Sequence, residues 1–443
     1  MGIKLSDHFD YRRILRFTMP SIASMLFTSI YGIVDGYFVS NFAGKAAFTA
    51  VNFIMPVVMI LGTLGFMLGA GGSALVGKLL GQKQNRKATE VFSMLVVVAV
   101  VSGIVLAIAG NLLARPFASL MGARDEMLDL SVLYGRIVLA GLPFFMLQIE
   151  FNSFFILAEK PKLGLLVTVL SGCTNMALDA LLVGALRQGI LGAAAATVAS
   201  QMLAALIAIV YFSRPNTSLL RLGRFRLLLR DLWQVCTNGS SEMMSSVAMS
   251  VVGMLYNIQL LHHAGEDGVA AYGVLMYVSF IFVACFIGYS MGIAPVVSYH
   301  FGAGNHAELK SLLRKSLSLI GIVSLAMFAG GELLGRPFST LFAGYDAGLA
   351  ALTAHAFAIC SLSFLFCGVP IFGSSFFTAL NDGLTSALIS FLRTLVFELL
   401  AILVMPRLWG AEGIWWSVVT AEVAAVALTT AFLWGKRGKY HYA

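Results

Sequence analysis

Asn175 and Asp179 stand four residues apart in the stretch SGCTNMALDALL, residues 171–182. On a helix that spacing stacks both side chains on one face, one turn above the other. The surrounding run is apolar, and a carboxylate in a membrane-spanning run costs about 2.5–3.5 kcal/mol on insertion scales. Asp35 and Thr197 fall at a comparable depth in two neighbouring apolar runs. Two carboxylates in a low-dielectric site cannot comfortably both be charged, so the pair should hold a proton at physiological pH. With oxygens of Asn175 and Thr197 added, the same cluster could coordinate Na⁺, which would want about five or six oxygens. A proton needs one carboxylate, so it is the easier ligand to satisfy. Either way the four residues read as a cation switch.

Such a cluster needs helices at fixed heights to hold it. The chain has 443 residues, 59% hydrophobic and 11% charged, with a mean hydropathy of +0.89. Soluble proteins carry about 25% charged residues, so this is an integral membrane protein. Apolar runs of about 20 residues suit helices, whereas barrel strands would be shorter and alternating. Twelve transmembrane helices are expected: 14–39, 46–72, 89–113, 128–157, 162–186, 190–213, 232–261, 268–298, 310–333, 346–372, 383–406 and 411–435. The fold class is therefore all-α. Loops are short except for the basic, amphipathic 214–231, read as a linker lying on the membrane surface. Twenty-one of the 29 lysines and arginines fall on the side of the two termini and six on the other, with Arg136 and Arg393 inside spans. The positive-inside rule then makes both termini cytoplasmic in an inner (plasma) membrane. The formal charge of +8 reflects this topology and anionic lipid, and implies no nucleic acid.

The chain repeats itself. NLLARPFASLMGA from 111 matches ELLGRPFSTLFAG from 332, with six of thirteen identical at a shift of 221. The same shift aligns AGGSALVGKLLG (70–81) with MGIAPVVSYHFG (291–302), and sets Gly189 and Gly192 on Gly410 and Gly413. Two homologous six-helix bundles follow, 14–213 and 232–435. They flank the linker 214–231, with residues 1–13 and 436–443 as cytoplasmic ends. Six is even, so both bundles face the same way about a pseudo-twofold axis along the membrane normal. That plan suits a transporter with a cavity between its halves.

Other polar residues in the spans have plainer readings. Glu150 and Glu332 lie near span ends and read as structural. Arg393 and Glu398 are five apart, about 140° around an α-helix, so Glu422 on the next helix is the better partner for Arg393. Pro20 removes a backbone hydrogen bond from helix 1 and permits a kink. The five cysteines lie in apolar segments without CxxC spacing, so no disulfide or metal is implied. GYSMG (288–292) fits the GxSxG pattern only formally, because it lies inside a helix and not at a strand-to-helix turn. With no P-loop and no HExxH in the sequence, neither ATP drive nor enzymatic chemistry has support.

Pro20 with SIYGIVDGYFVSNFAGKAAFTAVN (29–52), GKLLGQKQNRKA (77–88), NMALD (175–179) and VVSYHFGAGN (296–305) resembles the multidrug and toxic compound extrusion (MATE) transporters over nearly the whole chain. The resemblance implies two six-helix lobes and an antiporter expelling organic, often cationic, drugs in exchange for H⁺ or Na⁺, with no further cofactor. It implies a cation-coupling site at Asp35, Asn175, Asp179 and Thr197, and a bending role for Pro20. One branch of the family adds acids on helices 7 and 10. Glu242 matches the first, while helix 10 offers only His355, so these two are the candidates for a C-lobe cation or substrate contact. Partners would be small-molecule drugs and membrane lipid, with the protein a monomer. Two other classes stay open: a lipid-linked oligosaccharide flippase, for which Arg136 and Arg393 are few cations, and a channel or receptor.

Overall fold

The structure, a computed structural model, is described over residues 3–120, 123–343 and 346–442. Among the described residues every regular element is a helix. An apolar chain in a bilayer can satisfy its backbone in few other ways. The helices are α1 (Tyr11–Ala43), α2 (Ala46–Gly81), α3 (Asn85–Leu120), α4 (Asp125–Ala140), α5 (Leu142–Leu157), α6 (Pro161–Ala185) and α7 (Gly189–Ser213). After the linker come α8 (Leu229–Gly265), α9 (Asp267–Gly302), α10 (His306–Ala343), α11 (Ala347–Ser361), α12 (Phe364–Ala379), α13 (Gly383–Trp409) and α14 (Ala411–Gly435). Ten are long and apolar enough to span a membrane among the described residues, and twelve spans result if each bent pair counts as one.

Those bent pairs correct two expected helices. The run 128–157 is α4 and α5, set at 52°, and the run 346–372 is α11 and α12, set at 49° and reaching Ala379. Pro143 at the start of α5 has no N–H to carry the α-helical ladder across Gly141. In the second pair Ser363 Oγ donates to Cys360 O at 2.6 Å, drawing a backbone carbonyl out of the ladder at the break. The repeat shift carries Gly141 onto Leu362, so both bends fall at the same place in each half. Left-handed glycines recur in the same way. Gly44 and Gly265 have φ of +93° and +66°, and Gly189 and Gly410 have +57° and +60°. Each ends one helix or opens the next, in a conformation that other residues rarely adopt.

Pro20 brings no break, because α1 stays helical from Tyr11 to Phe38 with Pro20 buried inside it. Three segments are π-helical: Val39–Ala43 at the end of α1, Asp179–Ala185 at the end of α6 and Leu392–Phe397 within α13. The linker is not helical before Leu229. It runs beside α3, where Gly223 N–H donates to Ser93 Oγ at 2.8 Å and Leu220 is fully buried. Its Phe225 and Leu227 are exposed among arginines, as suits a segment on a membrane surface.

The two halves meet near the face that carries the chain ends. Gly71 of α2 lies against Val235 and Gly239 of α8, Gly292 of α9 against Thr18 of α1, and Gly302 of α9 against Lys78 of α2. Such small-residue crossings let backbones approach closely where the solvent is lipid. Toward the other face Gly32, Gly253 and Gly273 have nothing within 4 Å of an added Cβ. The interface is tight at the terminal face. The first eight residues described strap that closed end. Leu5 N–H donates to Glu159 Oε1 at 2.7 Å, and Phe9 N–H donates to Glu308 Oε1 at 2.9 Å.

Candidate cation-binding site

Asp35 comes from α1 just before its π turn, Asn175 from α6, and Asp179 from the residue at which α6 turns π-helical. π-bulges are common at functional sites, since they re-aim side chains that an α-helix would hold in register. Asn175 and Asp179 are buried, at 2% and 0% exposure, on the side of α6 that packs on α1 and α7. Asp35 interacts through its side chain with both Asp179 and Asn175. Three of the four expected residues therefore meet.

Thr197, on α7, reaches the group through Tyr134 of α4, a ring 1% exposed whose hydroxyl interacts with Thr197. Tyr134 lies within electrostatic reach of Asp35 and Asp179. Tyr31, one turn before Asp35 on α1, lies in its field as well. Neither tyrosine was singled out from the sequence. The i,i+4 spacing of Tyr31 and Asp35 was a visible signal, whereas nothing around Tyr134 in the chain announces it.

The electrostatic balance is unusual. Among the described residues no ion pair involves Asp35 or Asp179. Asp35 Oδ1, Asn175 Oδ1 and both carboxylate oxygens of Asp179 are buried, and apart from their contacts with one another no donor reaches them among the described residues. Buried polar atoms are normally paired, and an orphan costs about 1–3 kcal/mol. Four such oxygens facing one another are a donor set for a proton or for a hard cation that takes oxygen ligands. A helix-borne serine continues the polar face one turn below Asn175: Ser171 Oγ donates to Ser200 O of α7 at 2.8 Å.

The C-terminal candidates do not assemble in this way. His355 Nε2 pairs with Glu412 Oε1 of α14 at 2.7 Å, with both side chains about half exposed. Glu242, on α8, is half-buried. Glu332 accepts from Ser361 Oγ at 2.5 Å, as a structural residue would. Glu150 has no exposure, and neither of its oxygens has a hydrogen-bond partner among the described residues.

A multi-pass helical membrane protein with such a cluster among its N-terminal helices falls in a recognisable class. The sequence profile of MatE matches residues 20–181 and again 243–403, and the chain belongs to that family. It is similar to the multidrug export protein MepA of Staphylococcus aureus, 24% identical over 420 residues, covering 93% of this chain and 91% of that protein. Its fold matches the outward-facing conformation of a multidrug resistance MATE family transporter of the MOP superfamily. The TM-score is 0.92 at 21% identity, covering 99% of this chain and 98% of that one. It also matches MATE in the straight conformation, with a TM-score of 0.91 at 21% identity over 98% and 97% of the two chains.

Proposed function

We propose that the protein is a cation-coupled multidrug efflux antiporter that works by alternating access. The observation that carries this reading is the meeting of two buried carboxylates, Asp35 and Asp179, with Asn175, with no basic side chain paired to either acid among the described residues. Two carboxylates and an amide oxygen brought together in an apolar interior favour taking up a proton or a hard cation. Both termini are taken as cytoplasmic from the asymmetry of lysine and arginine. The closed terminal face then makes this conformation outward-open.

In the outward-open state Asp35 and Asp179 take up H⁺, or Na⁺, from outside, and drug leaves. In the inward-facing state the ion departs and the negative charge left behind favours a cationic drug. Soft methionine side chains lining a cavity would suit varied apolar shapes. The proton is the favoured ion, because one carboxylate suffices for it. Substrates would be small organic compounds and the working unit a single chain.

The test is ethidium efflux from proteoliposomes under one imposed gradient at a time. A pH gradient, acidic outside, is expected to drive export from sodium-free vesicles. Export that stays silent until Na⁺ is added, with a saturable dependence, would change the ion and keep the site. No response to either gradient would remove the coupling altogether.

A further inference from the structure

Arg393 of α13 forks onto Glu422 of α14, with Nε 3.1 Å from both carboxylate oxygens and Nη2 2.6 Å from Oε1. Glu422 is 4% exposed. A bidentate pair of this kind satisfies both partners and sums to zero charge. Yet a second carboxylate, Glu398, lies in the field of both. In an α-helix five residues would turn Glu398 about 140° away from Arg393. The π-helical segment Leu392–Phe397 lies between them, and its i to i+5 closure sets residues five apart nearly over one another. Local helix geometry therefore brings one guanidinium before two carboxylates.

Other helices complete the surroundings. Tyr256 of α8 and Tyr272 of α9 are stacked at 5.2 Å and 8°, and both lie in the field of Glu398. The Tyr256 hydroxyl is hydrogen-bonded to Ser417 Oγ of α14 at 2.9 Å. Cys360 of α11 faces the two tyrosines, and Cys367 of α12 faces Arg393 and Glu422. Among the described residues these are the titratable and charged groups around Glu398, and Arg393 is the one cation there. The repeat shift carries Asp35 onto Tyr256, so the C-terminal half has a tyrosine where the N-terminal half has its first aspartate. The acid of this half sits instead on α13, the counterpart of α6, and again adjoins a π segment.

We infer that Glu398 is a second proton-binding site, in the C-terminal half and separate from Asp35 and Asp179. Its charge is held by the Arg393–Glu422 pair and by Tyr256 and Tyr272. With Glu398 ionised the three side chains carry one net negative charge, and with it protonated they carry none. The Arg393 field lowers the cost of the first state, and the low-dielectric interior favours the second. Tyr256 at 2% and Ser417 at 0% exposure close the site on the α8 and α14 side, while Glu398 itself is half-buried. The ligand is a proton, which the carboxylate binds and releases without any other bond changing. Only the use of this proton in transport rests on the proposed efflux function.

The test is infrared difference spectroscopy of the full-length protein between acid and alkaline pH. In an Asp35→Asn/Asp179→Asn background a protonated-carboxyl band is expected to disappear on alkalinisation, and Glu398→Gln should delete that component. Tyr256→Phe, which keeps the ring packing, should shift its midpoint, and so covers the case in which Glu398→Gln does not fold. A band left intact by Glu398→Gln, or an unmoved midpoint in Tyr256→Phe, overturns the site. In proteoliposomes Glu398→Gln should move one proton fewer per ethidium than wild type. Ethidium export without any proton movement in wild type would instead sink the coupling of the efflux reading, and the infrared result would still decide Glu398.

Discussion

Leu5 and Glu159 are joined by a 2.7 Å hydrogen bond across 154 residues of sequence, from the Leu5 N–H to Glu159 Oε1. A few residues on, the strap is fastened to the other half. His8 Nδ1 lies 2.6 Å from Glu308 Oε2, Phe9 N–H donates to Glu308 Oε1, and Lys315 Nζ donates to Phe9 O at 2.6 Å. The terminal face cannot open without breaking one set of these bonds. Glu308→Ala removes two of them and leaves a buried N–H unpaired, at about 1–3 kcal/mol. The expected outcome is faster hydrogen exchange at residues 3–10 and a lower unfolding temperature. Unchanged exchange there would mean that the strap does not clamp the halves.

Asp35→Asn keeps the shape of the side chain and removes its charge. Export should be abolished, with insertion and folding intact, because the proposed exchange site then lacks one of its two acids. The measurement is ethidium resistance in cells set against the amount of protein in the membrane. Resistance like that of wild type at equal abundance removes Asp35 from the mechanism.

Glu242→Gln should be milder than Asp179→Asn. Glu242 has no acid facing it from α11, where His355 is already engaged by Glu412. Initial efflux rates of the two variants under the same pH gradient decide the matter. The reverse order would put the coupling site in the other half.

Gly239 lies so close to Met67 of α2 that any Cβ meets the backbone there. Gly239→Val should hold the halves apart at the terminal face, since overpacking costs about 1–3 kcal/mol. That is enough to shift a two-state balance by roughly 5- to 150-fold toward the form open at the terminal face. Cysteine labelling of the terminal-face cleft from the cytoplasmic side should rise, and export should fall. Labelling equal to wild type would refute the closure.

Asp382, at the start of α13, accepts hydrogen bonds of 2.8 Å from Lys436 Nζ, the Tyr440 hydroxyl and Thr385 Oγ1. Burial alone would lift its pKa, but Lys436, Tyr440 and Thr385 together hold it below the usual carboxylate range. The unfolded chain therefore binds this proton more readily than the folded one. The stabilisation is complete above the unfolded value of about 3.9 and is lost as pH falls through the folded one. Asp382→Asn should cost about 1.5–3 kcal/mol at neutral pH, and its deficit should shrink in acid. Thermal unfolding in detergent at neutral pH and at about pH 3 measures both; a deficit that does not change with pH would contradict the assignment.

The spans, the repeat and the pairing of Arg393 with Glu422 could all be read along the chain. Hydropathy is a one-dimensional property, and a bilayer fixes the depth of each residue once the helix ends are known. Depth and i,i+4 spacing were enough to bring Asp35, Asn175 and Asp179 together, since adjacent helices of even length leave few alternatives. What depth does not carry is rotation about a helix axis or departure from α geometry. Tyr134 entered the site by the way α4 is turned, and Glu398 came back to Arg393 only because α13 becomes π-helical between them. The bends at Gly141 and Leu362, the strap from Leu5 to Phe9 and the linker along α3 all depend on contacts made by distant residues. Those contacts are set by packing, in which many weak alternatives compete and only the assembled tertiary structure decides which one is lowest in energy.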